Sequence, residues 1–148
     1  MGSSVEITLL CRDPTQAQTA RTAVRAEVER LEALLSDYRP TSQVSRLNER
    51  ENVLLAPETR QLLLRAQAVC RETGGAFDAS IGPIKRLWGF GEGGTPHVPD
   101  SLAIQRLLAH VHCDVYELGP AGDFHWRDPE ARLDLGGIAQ GFVASCVA

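Results

Sequence analysis

DPTQAQTARTAVRAEVERLEALLSD, residues 13–37, is the stretch whose reading decides the fold. Asp13 followed by Pro14 is a helix start, because proline at the first helical position lacks only an N–H that would be unpaired anyway. Ala17, Ala20, Val24, Val28, Leu31 and Leu35 then recur at steps of three and four. That spacing predicts one long amphipathic helix whose apolar stripe must be buried.

Outward from this helix the pattern is mixed. Residues 5–11 alternate and are aliphatic or β-branched, which predicts a strand. Residues 38–52 turn polar, with Pro40, Ser42, Ser45 and Asn48, and read as a functional loop with one helical turn around Ser45. A brief extended run at 53–55 precedes a second helix carrying Leu62, Ala66, Val69 and Thr73, which Gly74-Gly75 stops. Residues 76–94 are glycine-rich without a period, and 91–99 read as a surface loop. Asp100 or Ser101 caps a third helix through Leu108. Short strands are predicted at 112–117, 124–127 and 132–135, and Gly136-Gly137 opens a last helix. Without a regular strand–helix alternation, the expectation is one α+β domain over residues 1–148 rather than a doubly wound sheet.

Composition narrows the function. The 148 residues are 43% hydrophobic and 23% charged, as in an ordinary globular protein. The net charge of −4, without clustered Lys and Arg, gives no footprint for nucleic acid. Cys11, Cys70, Cys113 and Cys146 form no CxxC pair, so buried, reduced thiols are expected. No run of about 18 apolar residues predicts a membrane span. Met1 leads directly into the first strand without a signal-peptide pattern. As written, the chain is expected in the cytoplasm; an export signal upstream would instead make it a periplasmic, membrane-anchored lipoprotein.

Four segments carry a resemblance. They are Met1-Gly2-Ser3; residues 35–48, LSDYRPTSQVSRLN; residues 74–90, GGAFDASIGPIKRLWGF; and residues 133–141, LDLGGIAQG. Their joint order and spacing resemble the FAD:protein FMN transferase (ApbE-like) family, over its N-terminal half. The resemblance implies an ApbE-like α–β roll. It also implies movement of FMN from FAD to a threonine of a flavin-acceptor protein, with Mg²⁺ present and AMP released. It places Met1, Tyr38, Ala76, Phe77, Asp78, Asp134 and Gln140 around the nucleotide, and the Gly137 carbonyl on the metal.

Each residue also has a plainer reading. Tyr38 either lays its ring on a planar ligand or closes the end of the first helix. Ser45 and Asn48 bind a ligand or satisfy loop backbone. Asp78 accepts from a nucleotide or is a surface carboxylate after a helix stop. Asp134 with Gly136-Gly137 either presents a helix N-terminus to phosphate or makes a capped tight turn. Trp88 and Phe90 read as core or lid aromatics, and His97, His110, His112 and His125 show no metal-binding spacing.

The sequence also departs from the family. Gln140 stands where the family carries lysine, and Ser145 where an aspartate is usual. The family's later Asn-x-Gly-Gly-Asp segment and remaining magnesium ligands lie beyond these residues, so the chain is expected to be incomplete as a catalyst. Phe142, Val143 and Val147 are expected to form an exposed apolar patch, giving self-association or pairing with a missing half.

Overall fold

The computed structural model describes residues 5–91 and 93–148. Helix α1 (Pro14–Leu35) starts as predicted: the Asp13 carboxylate accepts from the Thr15 N–H at 2.9 Å, with Pro14 in the first turn. Its apolar face is buried only at the C-terminal end. Leu31 and Leu35 are enclosed, while Ala17, Ala20, Val24 and Val28 are half-buried.

Helix α2 (Gln43–Asn48) is the turn expected around Ser45, and the Ser42 hydroxyl caps it by accepting from the Ser45 N–H at 3.0 Å. Helix α3 (Pro57–Glu72) ends in a glycine turn, with the Gly75 N–H donating to the Cys70 carbonyl at 2.8 Å. Helix α4 (Gly82–Leu87) was not anticipated, because six residues are too few to display a helical period. Helix α5 (Ser101–Leu108) is capped by Asp100. Strands β1 (Tyr116–Leu118) and β2 (Phe124–Trp126) form an antiparallel hairpin, with Tyr116 opposite Trp126. Helix α6 (Gly136–Val147) follows. The expected α+β class holds, with helices predominating over one small sheet. Leu31, Leu47, Leu62, Val115, Leu133 and Val143 bring α1, α2, α3, the hairpin and α6 into one core.

Several strand expectations are corrected. Residues 5–11 form no regular element and join no sheet among the described residues, and Val5, Ile7, Leu9 and Leu10 are exposed. Alternation alone makes a strand only where a neighbour offers its backbone. Residues 53–55 likewise form no strand, although the Leu55 N–H donates to the Gly122 carbonyl at 3.3 Å. The predicted strand at 132–135 makes a single parallel bridge, Ile81 with Arg132. That bridge requires Gly82, since a Cβ there would lie 2.6 Å from the Arg132 carbonyl oxygen.

Side chains do the work of the missing ladder. The Asn48 carboxamide donates to the Leu133 carbonyl at 2.9 Å and accepts from the Leu133 N–H at 2.7 Å, linking positions 85 residues apart. A carboxamide carries the same donor and acceptor as a peptide, so it can stand in for a strand partner. Next to it, Arg50 donates to the Ala131 carbonyl at 2.6 Å and to the Pro129 carbonyl. Its guanidinium lies 4.1 Å from the centre of the Trp126 ring.

The cysteine expectation is also overturned. Cys70 and Cys113 form a disulfide, with Cα atoms 5.7 Å apart across a separation of 43 residues, while Cys11 and Cys146 are exposed thiols. Such spacing carries no local signal, because only the fold brings the end of α3 beside the segment before β1. Nor do the α6 side chains form the expected patch: Val143 is buried and Phe142 and Val147 are half-buried. Among the described residues no helix is long and apolar enough to cross a membrane.

Two stability measurements follow from these links. Asn48→Ala leaves a buried N–H and C=O of Leu133 unpaired and should lower unfolding stability by about 2–4 kcal/mol in urea titrations. Reducing the Cys70–Cys113 bond frees a loop of 43 residues and should lower stability by about 4 kcal/mol on the chain-entropy account. Unchanged urea midpoints would contradict either assignment.

Candidate functional site

Three segments meet at one ammonium group. Lys85, on α4, donates from Nζ to Asp37 Oδ2 at 2.8 Å and pairs with Asp134 Oδ2 at 2.6 Å. The same Nζ lies 4.8 Å from the centre of the Tyr38 ring. Asp37 and Tyr38 leave the end of α1, and Asp134 stands two residues before α6. Local chemistry fixes each arm. Ser42 Oγ donates to the Ser36 carbonyl at 2.5 Å, and Ser45 Oγ donates to the Asp37 carbonyl at 3.2 Å, which holds the turn that presents Tyr38. Asp134 Oδ1 accepts from the Gly136 N–H at 2.8 Å, while its own N–H donates to the Ala79 carbonyl at 2.7 Å.

One cation and two carboxylates leave a local charge of −1. The side chains of Lys85, Asp37 and Asp134 are 21%, 23% and 10% exposed, so water screens them only partly. Partial burial by itself would lower the Lys85 pKa, but the hydrogen bonds it donates to Asp134 and Asp37 outweigh it and raise it.

Two cavities open beside this cluster. One, of about 410 Å³, is lined by Tyr38, Asn48, Lys85, Arg86, Arg132 and Asp134. The other, of about 240 Å³, is lined by Tyr38, Lys85, Gly136, Ala139 and Gln140. Tyr38 and Lys85 belong to both, and Tyr38 is 42% exposed, enough to offer a ring face. A larger depression of about 710 Å³ runs between residues 5–7 and α1, but none of the residues expected from the resemblance to contact nucleotide or metal lines it.

The fold therefore brings Tyr38, Asp134, Gly136 and Gln140 together around Lys85. Phe77 reaches the same region from the other side: a Cβ at Gly137 would lie 3.2 Å from its ring, so this close approach uses the absence of a side chain. Ala76 beside it is exposed. Asp78 lines neither cavity. Its Oδ1 accepts from the Ser80 N–H at 2.8 Å and the Ser80 hydroxyl at 2.7 Å, and its Oδ2 faces Cys70. That local turn draws the carboxylate away from Tyr38. Met1 lies outside the described residues. Ser45 and Asn48 satisfy backbone groups, although Asn48 also lines the larger cavity. Trp88 and Phe90 stack in parallel, 6.4 Å apart, and His110 pairs with Asp128 at 2.9 Å.

Sequence reasoning missed Lys85, Asp37, Arg86 and Arg132. The available signal was the Gly82-Pro83 helix start, which places Lys85 and Arg86 in the last turn of a short helix. Hard oxygen donors near α6 are the carboxylates of Asp37 and Asp134 and the Gly137 carbonyl. Both carboxylates already bind Lys85, and Gly137 is the second residue of a helix, where carbonyls enter the ladder. These donors fit magnesium only in part, since its octahedral set needs six oxygens.

Lys85→Met tests the cluster. With its pKa raised, Lys85 contributes stability fully below the ordinary lysine value, losing it only as pH rises above that range. The variant leaves two part-buried carboxylates facing each other and should lose about 1–3 kcal/mol at neutral pH. Unchanged stability of Lys85→Met in urea titrations would argue against the charge cluster.

Comparison with known proteins places this arrangement. The sequence pattern of the ApbE family matches residues 1–148. An FAD:protein FMN transferase of Klebsiella pneumoniae is 32% identical over 151 residues, covering 99% of this chain and 46% of that protein. Its counterpart in Salmonella typhimurium is 26% identical over 156 residues, covering all of this chain and 44% of that protein. The flavin transferase ApbE structure from Vibrio cholerae superposes with a TM-score of 0.82 at 26% identity, over 93% of this chain and 49% of that one. The chain thus spans about half the length of the relatives it matches. In sequence pattern and in three-dimensional structure alike, the chain belongs to the ApbE family.

Proposed function

We propose that this chain forms the flavin-facing part of an FAD:protein FMN transferase. The observation that carries the reading is the half-exposed Tyr38 ring, which shares both cavities with Lys85 and lies across from the Gly136-Gly137 start of α6. An isoalloxazine stacks on Tyr38, worth roughly 0.5–1.5 kcal/mol beyond burial. The pyrophosphate lies toward α6, where helix N–H groups attract anions. Ala76 and Phe77 border the nucleotide from the glycine turn, and Asp78 closes the turn that follows by accepting from Ser80.

The reaction forms a bond from an acceptor threonine oxygen to the flavin-side phosphorus and breaks the bond from that phosphorus to the bridging oxygen. AMP leaves with the bridging oxygen, and the hydroxyl proton passes to a base outside the groups placed here. Bound Mg²⁺ would supply charge neutralisation on the phosphates. Lys85, Arg86 and Arg132 line the larger cavity together with Asp37 and Asp134, so a pyrophosphate there meets basic side chains as well as the acidic pair. Asp134 and the Gly137 carbonyl are the oxygens of this chain nearest to holding Mg²⁺. Gln140 offers an amide where a lysine would add positive charge.

A second reading is a flavin- or nucleotide-binding module without catalysis, or one half of a split enzyme. The partial metal set and Gln140 favour it for this chain alone. The Cys70–Cys113 bond supports an oxidising compartment, such as the periplasm, over the cytoplasm expected from the sequence.

Two experiments test these statements. FAD should bind the purified chain with quenching of flavin fluorescence, and Tyr38→Ala should weaken binding up to about tenfold; equal affinity for the variant would remove Tyr38 from the site. Incubation with FAD, Mg²⁺ and a flavin-acceptor protein should give no fluorescent acceptor band in a gel. Robust labelling would show that the chain is catalytically sufficient.

A further inference from the structure

The Cys70–Cys113 disulfide has a third member. Asp78 Oδ2 lies 3.3 Å from Cys70 Sγ, and one ligand atom from each of Cys70, Asp78 and Cys113 falls within a sphere where all lie within 4.8 Å of one another. With the sulfur in a disulfide there is no S–H to donate, so that carboxylate oxygen points at an atom that offers it no proton. The other oxygen, Oδ1, is fully engaged by Ser80. The Asp78 charge is felt nearby: burial first, and then this carboxylate, push the Tyr116 hydroxyl upward. A disulfide gains nothing from an anion held against it, whereas two thiolates and a carboxylate are what a borderline divalent cation binds.

We propose that, once the disulfide is opened, Cys70, Cys113 and Asp78 form a site for one zinc-like divalent cation. The site is distinct from the Lys85 cavities and does not depend on the flavin reading. A dithiol reductant attacks one sulfur and the S–S bond breaks. Two cysteine thiols result, and the reductant leaves as its own disulfide. Zinc then displaces the two thiol protons to solvent, with no further electron movement. Two thiolates on one zinc ion stand roughly 3.8 Å apart for tetrahedral bonds of about 2.3 Å. Cα atoms 5.7 Å apart can reach that separation by side-chain rotation. The carboxylate is already at ligand-to-ligand distance from Cys70. Water completes the fourth position. Cys70 is enclosed, but Cys113 is half-buried, which gives reductant and cation a way in. Exchange with a disulfide oxidant, which takes up two electrons and two protons to become its dithiol as Zn²⁺ is released, restores the Cys70–Cys113 bond, so disulfide and metal are alternative ways of tying the end of α3 to the segment before β1.

The test uses the full chain carrying Cys11→Ser and Cys146→Ser, which removes the exposed thiols. After reduction and anaerobic desalting, Zn²⁺ is titrated by calorimetry and Co²⁺ by absorption. The expected result is one equivalent per chain and a near-ultraviolet thiolate-to-cobalt band. Zinc should also raise the melting temperature of the reduced chain but not of the oxidised chain, which takes up no metal. Asp78→Asn should weaken zinc binding at least tenfold, and Cys113→Ser should abolish the cobalt band. Absence of uptake by the reduced chain overturns the proposal, as does affinity unchanged in Asp78→Asn or Cys113→Ser. If circular dichroism shows either variant unfolded, the cobalt spectrum of the reduced parent decides: a chain without the thiolate band has no such site.

Discussion

An ammonium group shared between two carboxylates ties together segments that the chain keeps far apart. Lys85 comes from a helix of six residues, Asp37 from the end of a helix of 22, and Asp134 from the turn before α6. Charges this poorly exposed are stable only with partners, so the three elements are obliged to meet. Tyr38 is drawn in by position, next to Asp37 and over the Lys85 ammonium. Arg86 and Arg132 line the larger cavity beside this cluster, so an anionic ligand there would meet cations as well as the two carboxylates. Around this point both cavities open, and the family resemblance acquires a geometry.

A second constraint acts on the other side of the core. The segment leading to Asp134 meets residues 79–82 through a single parallel bridge rather than a full ladder. Asn48, Arg50 and the Gly82 bridge supply what a ladder would otherwise give. Ser36, Ser42 and Ser45 do the same for the turn after α1. Backbone groups buried without partners would cost 1–3 kcal/mol each, roughly. Asn48 and Ser45 thus satisfy backbone groups that shape the site, and Asn48 also lines the larger cavity.

How much was legible in the sequence depended on range. The 3.6-residue period of α1 and α3, the Asp13 and Asp100 caps, and the glycine stop after α3 are local signals, and the structure follows them. The strand at 5–11 failed because alternation says which face is apolar but not whether a neighbouring strand exists. The Cys70–Cys113 bond and the Lys85 cluster were invisible because each joins residues more than 40 positions apart with no spacing rule. Of the site, Tyr38, Asp134 and Gln140 were readable through the resemblance. Lys85 fell on a position the resembling motif leaves open, and Asp78 turned toward Ser80 through a local hydrogen bond that composition cannot reveal.

The central claim is that one cleft, centred on Tyr38 and Lys85 and floored by the start of α6, faces the flavin nucleotide. Its most direct measurement is a backbone-amide NMR titration of the labelled chain with FAD. The account predicts shift changes concentrated at residues 36–40, 76–77, 85–86 and 134–140, saturating together with one affinity. Shifts confined to the depression between residues 5–7 and α1, or no saturable shifts at all, would contradict it.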